Sequence, residues 1–535
     1  MKKTLLLGLI IARALSVLPV ALGQVVTSQY DNARSGANTN ETILTPQNVN
    51  ATQFGKIFSF PVDGAVYGQP LYLPDVEIPG KGRHNVVFVV TEHDSVYAFD
   101  ADGDSTAPLW QVSFTNRIKG VTSIPSKDLV RPCISPEVGI TSTPAIAYDT
   151  GTLYLVARTK ERSGLFDSEY VQQLHALAVT TGAEKFGGPV VIKASVPGNG
   201  AESVGGKVEF NTLRQNQRAA LLLDHGTIYL AWASHCGAGP YHGWVMAYDA
   251  ATLAQKGVFN STPDAVGGGI WMGGRGPAAD PDGNVFVATG NGKFDGANNG
   301  RDYADSVLKL GLTPQGFSLL DYFTPYNQEE LETNDEDVGS GGPVLLAERP
   351  GRPGTPAQHL LTVAGKGGTL YLLDRDHLGK FQPGSDRHAV DTIPTNFRAF
   401  GAGATWNGNI YYLFYNDVLR SYAVERGKLV LKSTAPGAKF KNSGASPSVS
   451  ANGSKNGIVW VVEWRGWRPE EPAPVLHAYD AANVATELYN SEQNGGRDRL
   501  SRTPNFAVLT AARGRVYVGG VRSIDVYGLL PAAKK

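Results

Sequence analysis

Apolar and polar positions alternate along this chain in short runs, and no stretch of useful length carries a helical period. The runs are rich in β-branched and aromatic residues: Val86–Val90, Leu153–Val156, Ile228–Trp232, Val285–Ala288, Leu360–Val363, Ile410–Phe414, Ile458–Val462 and Val516–Val518. After a short polar turn, each is followed by a phrase that ends near Ala-aromatic-Asp. Clear copies are Val96–Asp100, Val245–Asp249 and Leu476–Asp480; degenerate ones are Leu174–Leu177, Val307–Leu310, Leu370–Asp374, Leu419–Tyr422 and Ser523–Tyr527. The copies recur at roughly 50 to 75 residues, the period of propeller blades with loop insertions.

Upstream of the runs stand strand openers with Gly, Ser or Thr before Pro, such as Gly68-Gln69-Pro70, Ser142-Thr143-Pro144 and Gly342-Pro343. A further run such as Leu109–Phe114 often follows the phrase. Four short strands per unit, named A to D from the axis outward, predict an all-β chain. The expected fold is an eight-bladed β-propeller of four-stranded antiparallel blades. The last unit ends after its third strand, near Leu529, while Gly55–Val62 is a strand without a blade of its own. That strand is expected to supply the missing outer position and close the ring, which removes the exposed edges. The degenerate fourth and sixth units leave a seven-bladed count open. A β-sandwich array or a solenoid would not use the closing strand. The expected organisation is a lead-in over 24–54, a single propeller over 55–530 and a tail over 531–535.

The first 23 residues read as a cleaved export signal, with Lys2 and Lys3, an apolar run from Leu5 to Val20 broken by Arg13, and small residues before Gln24. No later run is long enough for a membrane span, so the mature chain is expected in the periplasm or outside the cell. Lys plus Arg (48) balances Asp plus Glu (49), and no basic excess points to nucleic acid. Of the two cysteines, Cys133 falls in the loop leading into strand A of blade two, and Cys236 in the B–C loop of blade three. Both loops lie on one face in neighbouring blades, which in an oxidising compartment predicts a disulfide.

That face, around the central channel, is the usual ligand site of a propeller. Its loops would present Glu92, His93, Asp94, Arg158, Lys160, Glu161, Asn291 and Lys366, and, before strand A, Tyr67, Arg218, Trp271, Arg275, Asp335 and Asp337. His235, Cys236, Tyr241 and His242 match no specific zinc spacing. Asp295, Asn298, Asn299 and Asp302 do not have EF-hand spacing.

One stretch is more specific. Gly267-Gly268-Gly269-Ile270-Trp271, then Ala278-Ala279-Asp280-Pro281, then Ala288-Thr289-Gly290-Asn291 resembles the quinoprotein alcohol dehydrogenases, which use pyrroloquinoline quinone (PQQ) and calcium. Phe323–Tyr326 leading to Asp335-Glu336-Asp337, and Val363–Gly368 through Leu373-Asp374-Arg375, follow in the family's order. The resemblance implies that Trp271 stacks under the quinone and Asn291 ligates the metal. It makes Asp335 or Asp337 the catalytic base, and Lys366, with Arg275, a basic contact to the cofactor. Glu161 is nearest by position to the family's glutamate ligand. The chain departs from the pattern in lacking a Cys-Cys pair and a Pro after Asn291. It also lacks a Cys-x-x-Cys-His, so no covalently held haem is expected.

Two functions are carried forward. One is an oxidoreductase acting on an alcohol or sugar, with a carboxylate base and a quinone hydride acceptor. The other is a non-catalytic propeller that grips a glycan or an envelope protein. A third, an enzyme using Arg158, Lys160, Arg275 and Lys366 around an anionic substrate, stays open.

Overall fold

The computed structural model describes residues 23–531 apart from 165–166, 351–357, 438, 442–444, 467 and 469. The expected signal segment, except its last residue, and nearly all of the tail fall outside them. Among the described residues, eight sheets of antiparallel blade strands follow one another along the chain, and a two-stranded hairpin, Ser195–Pro197 with Lys207–Glu209, stands apart from them. Blade one is Leu71–Ile78, Gly82–Val90, Ser95–Asp100 and Trp110–Ser113. Blade two is Ala145–Ala147, Thr152–Arg162, Ser168–Ala178 and Val190–Val191, and blade three Leu222–Asp224, Thr227–Ser234, Trp244–Asp249 and Gln255–Asn260. Blade four is Ala278–Ala279, Val285–Ala288, Val307–Thr313 and Gly316–Phe323, and blade five Val344–Leu345, Leu360–Ala364, Thr369–Asp374 and Asp391–Pro394. Blade six is Ala404–Trp406, Asn409–Tyr412, Arg420–Glu425 and Lys428–Thr434, and blade seven Ser448–Asn452, Lys455–Glu463, Val475–Asp480 and Glu487–Asn490.

Blade eight is Thr510–Ala512, Arg515–Gly519 and Ser523–Leu529, completed on its outer side by Phe54–Pro61. The closing strand runs antiparallel to the last one, with Phe54 opposite Leu529 and Pro61 opposite Ser523. Its two ends also join two cores. Phe60 stacks on Phe99 of blade one at 4.5 Å, and Phe54 meets Trp460 and Tyr489 of blade seven at 5.5 and 5.1 Å. Buried clusters fill every gap between neighbouring blades, so apolar burial itself is closed into a ring.

All eight repeated phrases are third strands. Their composition has a local cause. The Ala and the aromatic of the clear copies are buried between blades: Ala98, Phe99, Ala247, Tyr248, Ala478 and Tyr479. The Asp that follows turns the chain by accepting backbone N–H groups just downstream. Asp100 accepts from Asp102, Asp249 from Ala251 and Thr252, and Asp480 from Ala482, at 2.8–3.0 Å.

The lead-in is no passive tail. Strand A of each blade would leave its backbone edge unpaired along the channel. Residues 25–38 bond to all eight. Val25 pairs with Tyr72, and the N–H groups of Ile146, Ala279, Leu345, Thr405 and Val449 donate to the carbonyls of Val26, Asn32, Ala33, Ser35 and Gly36. Asn32 Nδ2 donates to Leu223 O, and Ala511 N donates to the Tyr30 hydroxyl. Arg34, fully buried, donates to Thr27 Oγ1 and to the carbonyls of Ser28, Leu221 and Pro277. The segment plugs the channel by satisfying its walls.

Candidate active site

The site begins with the turn after Phe323. A helix, Gln328–Asn334, follows and is capped at its C-terminus by Asp335 in the left-handed region (φ 54°). Seven residues are too few to show a helical period, which is why the sequence pattern misses this helix. The cap reverses the chain and sets Asp335 and Asp337 against the loops of blades four and five. Asn291 Nδ2 donates to Asp335 Oδ1 at 2.6 Å. Lys366 Nζ lies 2.7 Å from Asp335 Oδ1 and 2.5 Å from Asp337 Oδ1. Asp335 is exposed; Asp337 is buried.

Trp271 stands beside this group. Its indole N–H donates to Ser234 O at 3.1 Å, and Tyr241 meets the ring edge-on at 5.5 Å. Gly290 is the wedge between ring and carboxylate. A Cβ there would lie 2.6 Å from Trp271 Cζ3 and 3.4 Å from Asp337 Oδ2. Only glycine permits that approach.

Two more carboxylates join from residues the sequence reading passed over. Asp305, fully buried, accepts from Gln328 Nε2 at 3.0 Å, while the same amide donates to Gly292 O. Glu332 accepts from Gly292 N. The Tyr241 phenol is raised above its ordinary range by burial, then by the fields of Asp337, Glu332, Asp305 and Asp335. The carboxyls of Asp305 and Asp337 are both raised, first by burial. For Asp337 the Lys366 ammonium works against that rise. Burial also opposes the Lys366 charge, but the two aspartates hold its pKa above the usual lysine value. Three buried oxygens here have no partner: Asn291 Oδ1, Asp305 Oδ1 and Asp337 Oδ2.

No family model matches the chain, and no curated protein matches it by sequence. Solved structures do match. The quinohemoprotein alcohol dehydrogenase of Comamonas testosteroni superposes with a TM-score of 0.57 at 14% identity, over 96% of this chain and 82% of that one. Quinohemoprotein alcohol dehydrogenase ADHIIG of Pseudomonas putida HK5 gives 0.58 at 14%, over 96% and 81%. A europium-containing methanol dehydrogenase gives 0.58 at 15%, over 95% and 99%. The fold is that of the quinoprotein alcohol dehydrogenases.

Within this quinoprotein fold, the expected site residues divide. Trp271, Asn291, Asp335, Asp337 and Lys366 come together. Arg275 does not join them. It is buried in the channel, and its guanidinium donates to the carbonyls of Arg34 and Gly403. There it pins the Gly273–Gly274 turn, with Gln29 donating to Gly274 O, onto the lead-in plug.

Glu161 also lies apart. Arg158, Lys160 and Glu161 were expected in a loop, but strand Thr152–Arg162 continues through them, with Lys160 opposite Tyr170 and Glu161 opposite Glu169. Thr159 Oγ1 donates to Glu161, and Lys160 pairs with Asp128 at 2.7 Å. Arg158 is fully buried against Asn216 and His235. Burial and Arg158 lower the His235 pKa to about 2. Both ring nitrogens of His242 face backbone carbonyls, of Thr262 and Ala201, so neither histidine turns toward a shared ligand point. Cys133 and Cys236 form the expected disulfide, with Cα atoms 6.2 Å apart.

Proposed function

We propose that this protein is an exported, quinoprotein-like oxidoreductase that uses PQQ and a hard cation, calcium in the first instance, to oxidise an alcohol or a sugar. The observation that carries the reading is the set of three unpartnered, buried oxygens on Asn291, Asp305 and Asp337, gathered beside the Trp271 indole and the Lys366 ammonium. Buried oxygens without partners are costly and suit a hard cation. Among the described residues, no three His, Cys, Asp or Glu side chains are grouped closely enough to hold a metal by themselves. The cation would therefore be held by Asn291 and Asp305 only together with oxygens of the cofactor or substrate, which leaves the free oxygen of Asp337 for the proton. When bound, the quinone would supply the carbonyl that accepts hydride.

The chain's own groups cover the remaining work. Asp337, buried and with one oxygen free, takes the proton of the substrate hydroxyl. Lys366 stabilises the carboxylate before transfer. Asp335 and Asn291 orient one another, and Trp271 forms the flat wall. Export is supported by the Cys133–Cys236 disulfide, which persists in oxidising compartments. One fold neighbour contains europium, so a lanthanide ion belongs in the same titration as calcium.

A second reading, a non-catalytic binding propeller, is favoured by the way Lys366 already closes onto both aspartates. Titration of the purified protein with PQQ and each cation, followed by tryptophan quenching and then dye-linked oxidation of alcohols and sugars, separates the two. Cation-dependent saturable quenching, lost in Asn291→Ala, is expected. Absence of binding at high micromolar cofactor overturns the enzyme reading.

A further inference from the structure

A second polar group on the channel face is built from the loops that lead into blades one, three and eight. Its centre is Arg218, more than nine-tenths buried. The guanidinium carbon lies 5.2 Å from the ring centroid of Tyr67 and 5.8 Å from that of Phe506. Two aromatic rings within about 6 Å help to hold the cation in place without hydrogen bonds. Among the described residues the Arg218 side chain is in no hydrogen bond or ion pair, and its Nη2 is buried with no partner. Burial lowers its pKa, and the fields of Tyr67 and then Glu92 work against that. Glu92 is itself buried, with Oε2 held by Gly139 N at 2.7 Å and Thr141 Oγ1 at 3.0 Å, and with Oε1 unpartnered.

A buried guanidinium without a hydrogen-bond partner carries a desolvation cost that two aromatic rings and the field of Glu92 offset only in part. The other buried arginines show what a structural role looks like here. Arg34 and Arg275 spend their N–H groups on backbone carbonyls, and Arg158 bonds to Asn216 and His235. Arg158 and Arg275 keep these side-chain hydrogen bonds although their Nε atoms are unpartnered, whereas the Arg218 side chain has none. An unpartnered guanidinium donor within the field of a carboxyl that has its own unpartnered oxygen suits a ligand with an anionic group and a hydroxyl. Planar bidentate recognition of carboxylate is what a guanidinium does best.

We propose that Arg218 is the carboxylate receptor for a hydroxyl-bearing acid, such as a sugar acid, whose hydroxyl donates to Glu92. Two aromatic rings lie between this group and the site described above. Phe506 neighbours Phe400 at 6.4 Å, and Lys366 Nζ lies 6.0 Å from the Phe400 centroid. The inference does not rest on the quinone reading, because it uses none of the residues assigned there. PQQ also carries carboxylates, so the same receptor chemistry has two sources to separate.

The test measures binding to the full-length mature protein by calorimetry, with matched acid and neutral probes: galacturonate and galactose, glucuronate and glucose, lactate and propane-1,2-diol. PQQ with calcium is titrated separately. At least one acid is expected to bind ten-fold or more tighter than its neutral partner. Arg218→Gln is expected to abolish that preference, with Arg218→Lys restoring part of it. Arg218→Gln should also melt at or above the wild-type temperature, since an uncompensated charge has been removed. If instead only PQQ distinguishes wild type from Arg218→Gln, the carboxylate recognised is the cofactor's and the assignment of a hydroxyl-bearing acid is overturned. The inference is overturned if no acid is preferred and PQQ binds both proteins equally, or if Arg218→Gln melts several degrees lower, which would make Arg218 a strut of the fold.

Discussion

The ammonium nitrogen of Lys366 lies 2.5 Å from Oδ1 of Asp337, whose side chain is 2% exposed. The pair joins blade five to the loop that leads into it. The charge on each is sustained by the other against burial.

Removing the cation alone should therefore be costly. Lys366→Met is expected to lose about 3 kcal/mol at pH 8, since it leaves a buried carboxylate uncompensated. Without Lys366, the folded-state pKa of Asp337 rises further above its unfolded value. The folded variant then binds the extra proton, and its deficit should shrink as pH falls toward 5. Urea denaturation at both values checks this. A deficit that does not change with pH would place the loss elsewhere than in Asp337.

Gly290 separates the Trp271 ring from the free oxygen of Asp337. Gly290→Ala puts a methyl where the indole already is. The expected result is a displaced ring, seen as a shift in tryptophan emission, and a cost of about 1–3 kcal/mol from overpacking. Unchanged emission would mean that the ring is not confined as described.

Glu92 gives a pH signature of its own. Burial raises its carboxyl to about 7, against the pull of Gly139 N–H, Thr141, Arg158 and Arg218. Its folded-state pKa is above the unfolded one, so the folded protein holds more protons between the two. Stability from this group is present below the unfolded value and is lost as pH rises through about 7. The size is about 3 kcal/mol at most. Glu92→Gln should flatten the fall in stability between pH 5 and pH 8. Parallel pH curves for variant and wild type would rule Glu92 out as its source.

Arg34 holds the lead-in to blades three and four through Leu221 and Pro277. Arg34→Leu leaves buried carbonyls without donors, at about 1–3 kcal/mol for each one left unsatisfied. Native-state hydrogen exchange should then show loss of protection along strands A, beginning with Ala279 N–H. Loss confined to the residues flanking position 34 would contradict a plug that supports the whole ring.

What the sequence determined by itself is whatever has a local cause. The repeated Val-x-Ala-aromatic-Asp phrase marks third strands because alternation, small-residue packing and an Asp turn act within a few residues. The closing strand was legible as Gly55–Val62, one residue from the observed Phe54–Pro61, because a unit lacking a fourth strand must find one. Asn291, Asp335, Asp337 and Lys366 were singled out only through the resemblance of their loops to the quinoprotein alcohol dehydrogenases, in whose order they follow along the chain.

Tertiary structure alone decided the rest. The 25–38 plug has no period, and its bonds go to strand edges as much as hundreds of residues away. Arg275 and Arg218 stand in similar loops, yet one donates to backbone carbonyls and the other lies against two aromatic rings without a hydrogen bond. Glu161 left the site because its hairpin ran on past the sheet, and Asp305 entered because a left-handed turn aimed it inward. Strand identity follows from neighbours in sequence, whereas the company a charge keeps follows from the closing of the ring.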